Sequence, residues 1–164
     1  MNESFDRRRF LFLAPALGLA SFSRAARPSA IPLATDLRAD GQVSKARKIP
    51  ILVLFSLPGC PYCEIVRRSH LVPMLRDPQR AGLAVFRQID IDGEHAVLDF
   101  TGRRTTHEAI SRAHGMRSAP VVAFWDGEGK PVAENLAGML LPDFYSAYLE
   151  SALETARARL ASPR

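Results

Sequence analysis

Cysteine is scarce in this sequence, with only two among 164 residues. Two thiols cannot build a framework of several disulfides, and alone they cannot supply the four thiolates of a structural zinc or iron–sulfur centre. Long apolar runs are missing too: no stretch of about 20 uncharged apolar residues is present, which excludes a conventional membrane-spanning helix. With 47% apolar and 24% charged residues, the composition is that of one globular domain rather than of a disordered, collagen-like or coiled-coil chain.

Positive charge exceeds negative charge, with 22 lysines and arginines against 17 acidic residues. Part of the excess lies in Arg7-Arg8-Arg9, directly before the apolar run 10–20. A basic segment followed by a short apolar run and small residues is typical of an export signal, and this one resembles a twin-arginine signal. We therefore expect residues 1–25 to be an export signal, cleaved after Ala25 or, alternatively, after Ala20. A periplasmic location follows from this prediction.

Without residues 1–25, which contain four arginines and two acidic residues, the balance is 18 basic against 15 acidic residues, or +3. So small an excess gives little support for nucleic-acid binding, and we expect no nucleic-acid partner. Residues 26–34 carry two prolines and are predicted to be a linker. Residues 35–160 are predicted to form the folded domain, as a monomer.

Hydrophobic periodicity predicts a short first helix and then the order strand, helix, strand, helix, strand, strand, helix. The predicted elements cover residues 35–48, 49–55, 64–75, 83–91, 105–114, 120–125, 131–133 and 143–159. Thr35 is the expected cap of the first helix, and Thr105 with Glu108 has the spacing of a capping box. Pro73 should kink or end its helix, and Gly115 should end the helix before it. This order predicts an α/β fold with a mixed central sheet flanked by helices.

The two cysteines lie three residues apart, in Cys60-Pro61-Tyr62-Cys63, directly after a predicted buried strand and at the start of a helix. That context distinguishes a redox motif from a chance pair. Cys60 falls at the N-cap and Pro61 at the first helical position, where its missing amide hydrogen costs nothing. The free amides at the helix start favour a thiolate over a thiol at Cys60. We predict that Cys60 is the catalytic nucleophile and that Cys63, one turn into the helix, is the resolving thiol.

Two other interpretations of the pair are open. A disulfide across so small a loop would contribute only about 2 kcal/mol by chain entropy, too little for a useful structural staple. Two thiolates with one histidine could hold copper or zinc, although no histidine lies within the motif. The histidines available are His70, His95, His107 and His114. We predict no metal site.

The motif and its preceding apolar strand, together with Ser118-Ala119-Pro120 at the opening of a later strand, resemble the thioredoxin superfamily. The resemblance implies a thioredoxin fold over about residues 35–155. It also implies that Pro120 is cis and faces the disulfide, and that the backbone of Ala119 offers hydrogen bonds to a substrate peptide. Pro61 and Tyr62, between the cysteines, are then expected at the substrate-binding surface.

A finer resemblance, to exported thioredoxins associated with sulfur-oxidation systems, rests on residues 57–64, on the insertion around 99–102 and on residues 119–130. One departure concerns Leu54, which stands where cytoplasmic thioredoxins carry a buried aspartate that helps to deprotonate the second cysteine. We therefore expect slower or differently assisted release from Cys63. The dipeptide between the cysteines matches glutaredoxins instead, but no convincing glutathione site is present.

We expect an exported thiol–disulfide oxidoreductase that reduces disulfides of partner proteins, requires no cofactor and receives its electrons from a membrane-bound donor. The alternatives are a disulfide oxidase or isomerase of the same fold, and a copper-delivery protein that uses the same two thiolates. Arg67 and Arg68 follow the motif on its helix. They are typical of a solvated face, but they could also raise the thiolate character of the pair.

Overall fold

The computed structural model describes residues 30–139 and 142–162. The predicted export signal, residues 1–25, lies outside the described residues, as do residues 26–29 of the predicted linker. No helix among the described residues is long and apolar enough to cross a membrane.

Five α-helices and six strands form the described part of the chain. In chain order they are α1 (Leu37–Arg47), β1 (Ile51–Ser56), α2 (Pro61–Ile65), a π-helical turn (Val66–Leu71), α3 (Val72–Arg76), β2 (Val85–Asp90), β3 (Ala96–Leu98), β4 (Arg104–Thr106), α4 (His107–Ala113), β5 (Val121–Trp125), β6 (Leu136–Ala137), a 3₁₀ turn (Pro142–Phe144) and α5 (Tyr145–Ala161). The predicted order of helices and strands is confirmed, with one hairpin added.

The main sheet has the strand order β2-β1-β5-β6. β1 pairs in parallel with β2 and antiparallel with β5, and β6 runs antiparallel to β5, so the predicted mixed sheet is confirmed. β1 and β5 are buried along their whole length, as expected for continuous apolar runs with helices on both faces. One apolar cluster lies on each side of the sheet. The first contains Leu52, Leu54, Phe86, Phe124, Leu149 and Leu153; the second contains Leu37, Ile51, Val53, Phe55, Ile110 and Trp125.

Two helix caps lie one residue later than predicted. Asp36, not Thr35, caps α1 by accepting a hydrogen bond from the Ala39 amide at 2.9 Å. Thr106 rather than Thr105 caps α4. The β3–β4 hairpin includes both threonines, with Thr105 paired to Val97 and Thr106 to Ala96, so the helix begins only after Thr106, the last residue of β4. The capping box predicted at Thr105 is therefore wrong.

Residues 92–104, for which the sequence pattern predicts neither helix nor strand, contain β3 and the start of β4. The return strand predicted at 131–133 makes only a bridge from Pro131 to Trp125 and one hydrogen bond from the Val132 amide, and β6 begins at Leu136. Residues 32–34, at the end of the predicted linker, lie along the outer edge of β2. There the Gln88 amide donates to the Pro32 carbonyl at 2.8 Å.

The helix that follows the cysteine motif, predicted over residues 64–75 with a kink or an end at Pro73, does not end there. It passes from α2 into the π-helical turn, and α3 then continues to Arg76. Pro73 lies at the start of α3, directly after the π-helical turn. A π-helical turn inside an α-helix is rare and occurs frequently at functional sites.

Candidate active site

The cysteine motif begins α2 as the sequence predicts. Cys60 is the N-cap, with extended backbone angles (φ −76°, ψ 111°), and Pro61 is the first helical residue. The Sγ atom of Cys60 accepts a hydrogen bond from the Cys63 amide at 3.1 Å. The sulfur of Cys60 thus occupies the place of the side-chain oxygen in an ordinary N-cap, next to the free amides of the first turn.

Cys60 and Cys63 form a disulfide, with their Cα atoms 5.3 Å apart. Cys63 is completely buried, whereas Cys60 is half-buried. Pro61 and Tyr62 between them are exposed, and Tyr62 has 60% of its surface accessible. A molecule that approaches from solvent therefore meets Cys60 and the ring of Tyr62 before it can reach Cys63.

Ala119 and Pro120 lie at the same edge of the sheet as the cysteine motif. Val121 pairs with Phe55, so the residues before β5 lie beside the end of β1, from which the chain continues to Cys60. The peptide bond between Ala119 and Pro120 is cis, as the resemblance implies. Pro120 is buried and Ala119 is half-buried.

A polar network centred on Arg67 joins the helix to the sheet. Its Nε donates to Gln88 Oε1 at 2.9 Å, its Nη2 donates to Ser56 Oγ at 2.9 Å, and its Nη1 bonds the Glu64 carboxylate. Gln88 in turn donates to Asp90 Oδ1 at 2.8 Å. The guanidinium therefore connects α2, the last residue of β1 and the middle of β2.

Leu54 contributes no polar group to this site. It is completely buried, pairs with Gln88 on β2 and with Val122 on β5, and packs in the same apolar cluster as Phe86. The position that carries a buried acid in cytoplasmic thioredoxins is thus part of the apolar core.

The four histidines are engaged elsewhere in the fold. His70 Nδ1 lies 3.0 Å from the Ser146 hydroxyl, and burial lowers the pKa of His70. His107 is buried, with Nδ1 accepting from the Asp90 amide and Nε2 2.7 Å from the Ala34 carbonyl.

His114 stacks on Trp125 with ring centroids 4.1 Å apart, and burial lowers its pKa. His95 is exposed and lies 3.6 Å from Asp90 Oδ2. Within the described ranges, no three histidine, cysteine, aspartate or glutamate side chains are grouped so that they could hold a metal ion.

Sequence reasoning located the cysteines, but it did not identify Ser56, Gln88 or the inward direction of Arg67. The spacing of Arg67 and Arg68 indicates a helix surface without showing which arginine turns inward. The side chain of Arg68 is 81% exposed, against 15% for Arg67. Gln88 and Asp90, polar residues that follow Phe86 on one face of β2, are the sequence signal for a polar site there.

A family model described as "Thioredoxin-like domain" matches residues 37–153. A search of curated proteins finds no match. Among solved structures, the chain is similar to a mutant thioredoxin from Halobacterium salinarum (19% identity, 75% of this chain and 91% of that chain, TM-score 0.44). It is also similar to the oxidised C-terminal domain of DsbD from Neisseria meningitidis (19%, 73% and 98%, 0.47) and to thioredoxin NaTrxh from Nicotiana alata (16%, 76% and 97%, 0.45).

Proposed function

Because the chain belongs to the thioredoxin-like domain family and has the thioredoxin fold, we propose that it is an exported thiol–disulfide oxidoreductase that reduces disulfides in partner proteins. The observation that carries the proposal is the asymmetry of the pair. Cys60 is an accessible N-cap, while Cys63 is fully buried three residues later. Such an arrangement supports one thiol that meets the substrate and a second that acts only on the first.

The reaction begins with the reduced pair. The Cys60 thiolate attacks one sulfur of a substrate disulfide, a mixed disulfide forms, and the other substrate sulfur leaves as a thiolate. Cys63, as its thiolate, then attacks Cys60 Sγ, which breaks the mixed disulfide and releases the second substrate sulfur. Two electrons pass to the substrate, and the protein is left with the Cys60–Cys63 disulfide. An external dithiol must reduce that disulfide before another cycle.

Substrate contacts in the proposal come from the two segments beside Cys60. The backbone of Ala119, next to Pro120, would hydrogen-bond an extended peptide, and Tyr62 would contact the partner protein. The exposure of Tyr62 and the half-burial of Ala119 at the same sheet edge support this assignment.

Export is proposed from the sequence alone, on Arg7-Arg8-Arg9 and the apolar run 10–20. In an oxidising compartment a reductase depends on a supply of electrons, so we propose a membrane-bound dithiol protein as the donor. The association with sulfur oxidation stays a prediction. Fractionation of cells that express the full chain tests export, and the Arg7→Lys/Arg8→Lys variant tests the twin-arginine route, because export by that route should leave the variant in the cytoplasm.

The proposed roles of the cysteines are tested with Cys60→Ser and Cys63→Ser. Serine at position 60 retains a helix N-cap, so the change removes the nucleophile without removing the cap. We expect both variants to lose catalysed reduction of insulin disulfides, and only Cys63→Ser to accumulate a mixed disulfide with substrate, seen by non-reducing gel and mass spectrometry. Activity of Cys60→Ser equal to that of the wild type would refute the proposal.

A further inference from the structure

Arg67 differs from an ordinary surface arginine in its burial and in its partners. Its three donor atoms reach three different parts of the fold: Glu64 on α2, Ser56 at the end of β1 and Gln88 on β2. Ser56 is almost completely buried. We call these three bonds the Arg67 fork. A guanidinium suits such a fork, because it is planar and permanently charged.

The charge of Arg67 is only partly compensated by these partners. Ser56 and Gln88 are neutral. Among the described residues one carboxylate bonds Arg67, that of Glu64, which is half-exposed and also pairs with Arg68 at 3.2 Å. Charges that are partly removed from water interact more strongly than charges in solvent. A thiolate near Arg67 would therefore be stabilised more than one near Arg68.

Two short stretches of chain connect the cysteine pair to this charge. Arg67 follows Cys63 by four residues, a spacing that brings side chains to the same face of a helix. Ser56, which the guanidinium bonds, is four residues before Cys60, and the Cys60 amide bonds back to the Leu57 carbonyl at 3.3 Å. The fork thus holds both ends of the segment that carries the nucleophile.

Cys63 needs such help, because it is completely buried and must become a thiolate to attack the mixed disulfide. Leu54 on β1 and Phe86 on β2 are apolar and buried, and neither offers a base. We propose that Arg67 is the positioning residue of the pair: its fork holds the start of α2 against the end of β1, and its charge stabilises the thiolates of the reduced protein. This inference rests on the proposed function.

The test compares Arg67→Gln with Arg68→Gln. The second variant removes the same charge from the neighbouring residue, whose side chain is exposed. Two properties are measured on each purified full-length protein: the pH profile of Cys60 alkylation by iodoacetamide, and the equilibrium of the pair with reduced and oxidised glutathione. Loss of a stabilising cation should raise the apparent thiolate pKa of Arg67→Gln by about one unit. It should also make the pair about tenfold harder to reduce, which is a potential about 30 mV more negative.

Arg68→Gln should leave both properties within about twofold of wild type, since exposed charges are screened. Arg67→Lys retains the charge and should restore at least half of the pKa shift. An unchanged Arg67→Gln profile, an equal effect of Arg68→Gln, or a lysine variant no better than the glutamine variant would overturn the inference.

Glu64→Gln keeps the test decisive if Arg67→Gln does not fold. Removing this exposed countercharge should shift both properties in the opposite direction, towards a lower thiolate pKa and a less negative potential, and no change would overturn the inference. Both measurements use small reagents only. Failure of the proposed function would appear separately, if the variants show these shifts but the wild-type protein does not reduce protein disulfides.

Discussion

Replacing Leu54 with aspartate would place a carboxyl group on β1 where cytoplasmic thioredoxins carry a buried acid. Leu54 is completely buried among apolar side chains. Loss of a fully buried leucine side chain lowers the free energy of unfolding by about 2–3 kcal/mol, and burial of a carboxyl group without a partner lowers it by about 1–3 kcal/mol more. We therefore expect Leu54→Asp to lose about 3–6 kcal/mol of unfolding free energy, a large part of the 5–15 kcal/mol that is typical of a domain.

The assay is urea unfolding followed by the fluorescence of Trp125, with Leu54→Asn as a control of similar shape that carries no charge. Burial should raise the pKa of the introduced aspartate above its unfolded value. The folded state then holds a proton that the unfolded state has lost, so stability is greatest below the unfolded pKa and falls as pH rises through the folded pKa. The asparagine variant should lack this loss between pH 4 and 8.

The same pair of variants tests the release step. If an acid at this position assists Cys63, Leu54→Asp should resolve a mixed disulfide faster than Leu54→Asn at neutral pH, in a stopped-flow measurement. An aspartate variant as stable as wild type at pH 8 would refute the reasoning, because it would show that Leu54 does not occupy a closed apolar site.

Gly41→Ala should lose about 1–3 kcal/mol in urea unfolding, although alanine normally stabilises a helix, because the added Cβ would lie 2.5 Å from the Gly127 carbonyl oxygen. The free energy of unfolding should also fall as pH decreases below about 6.5, because burial lowers the pKa of His114 and the unfolded state then binds more protons. His114→Asn should flatten this slope when unfolding is measured from pH 7 to 5. Reduction of the disulfide should leave the emission of Trp125 almost unchanged, since this residue pairs with Ile51, about 17 Å along β1 from Ser56.

Each of these three expectations has a contradicting result. A Gly41→Ala protein more stable than wild type would show that α1 does not approach the turn at Gly127. An identical pH slope in His114→Asn would assign the acid sensitivity to other groups. A large change in Trp125 emission on reduction would mean that the disulfide is coupled to the far end of the sheet.

The elements predicted from the sequence are those with strong local signals. β1 and β5 were found because continuous apolar runs are typical of strands buried on both faces. The end of α4 was found because Gly115, with φ +70°, follows the helix as an αL residue. The start of α2 was found because Pro61 favours the first helical position directly after a capping residue.

The remainder of the fold depended on contacts that no local pattern reveals. β3 and β4 are three residues each, too short for a periodicity to be visible, and they are held by pairing with each other. Because the pairing extends to Thr106, α4 begins one residue later than the sequence predicts and Thr106 is its cap. The π-helical turn and the pairing of residues 32–34 with β2 are set by tertiary packing, which overrides local preference.

In the candidate site, the redox pair was readable from the sequence because its chemistry lies within four consecutive residues. The Arg67 network was not readable, because Ser56, Glu64 and Gln88 come together only when α2 packs on the sheet. A sequence shows which residues are charged, whereas the direction of a charged side chain depends on what lies beneath the helix.

The reduction potential of the Cys60–Cys63 pair tests the central claim most directly. It can be measured on the purified protein by equilibration with glutathione or dithiothreitol buffers at pH 7, followed by alkylation and mass spectrometry. A reductase of protein disulfides requires a value below about −200 mV, which is the result expected here. A value near −120 mV, typical of a strong disulfide oxidant, would contradict the account.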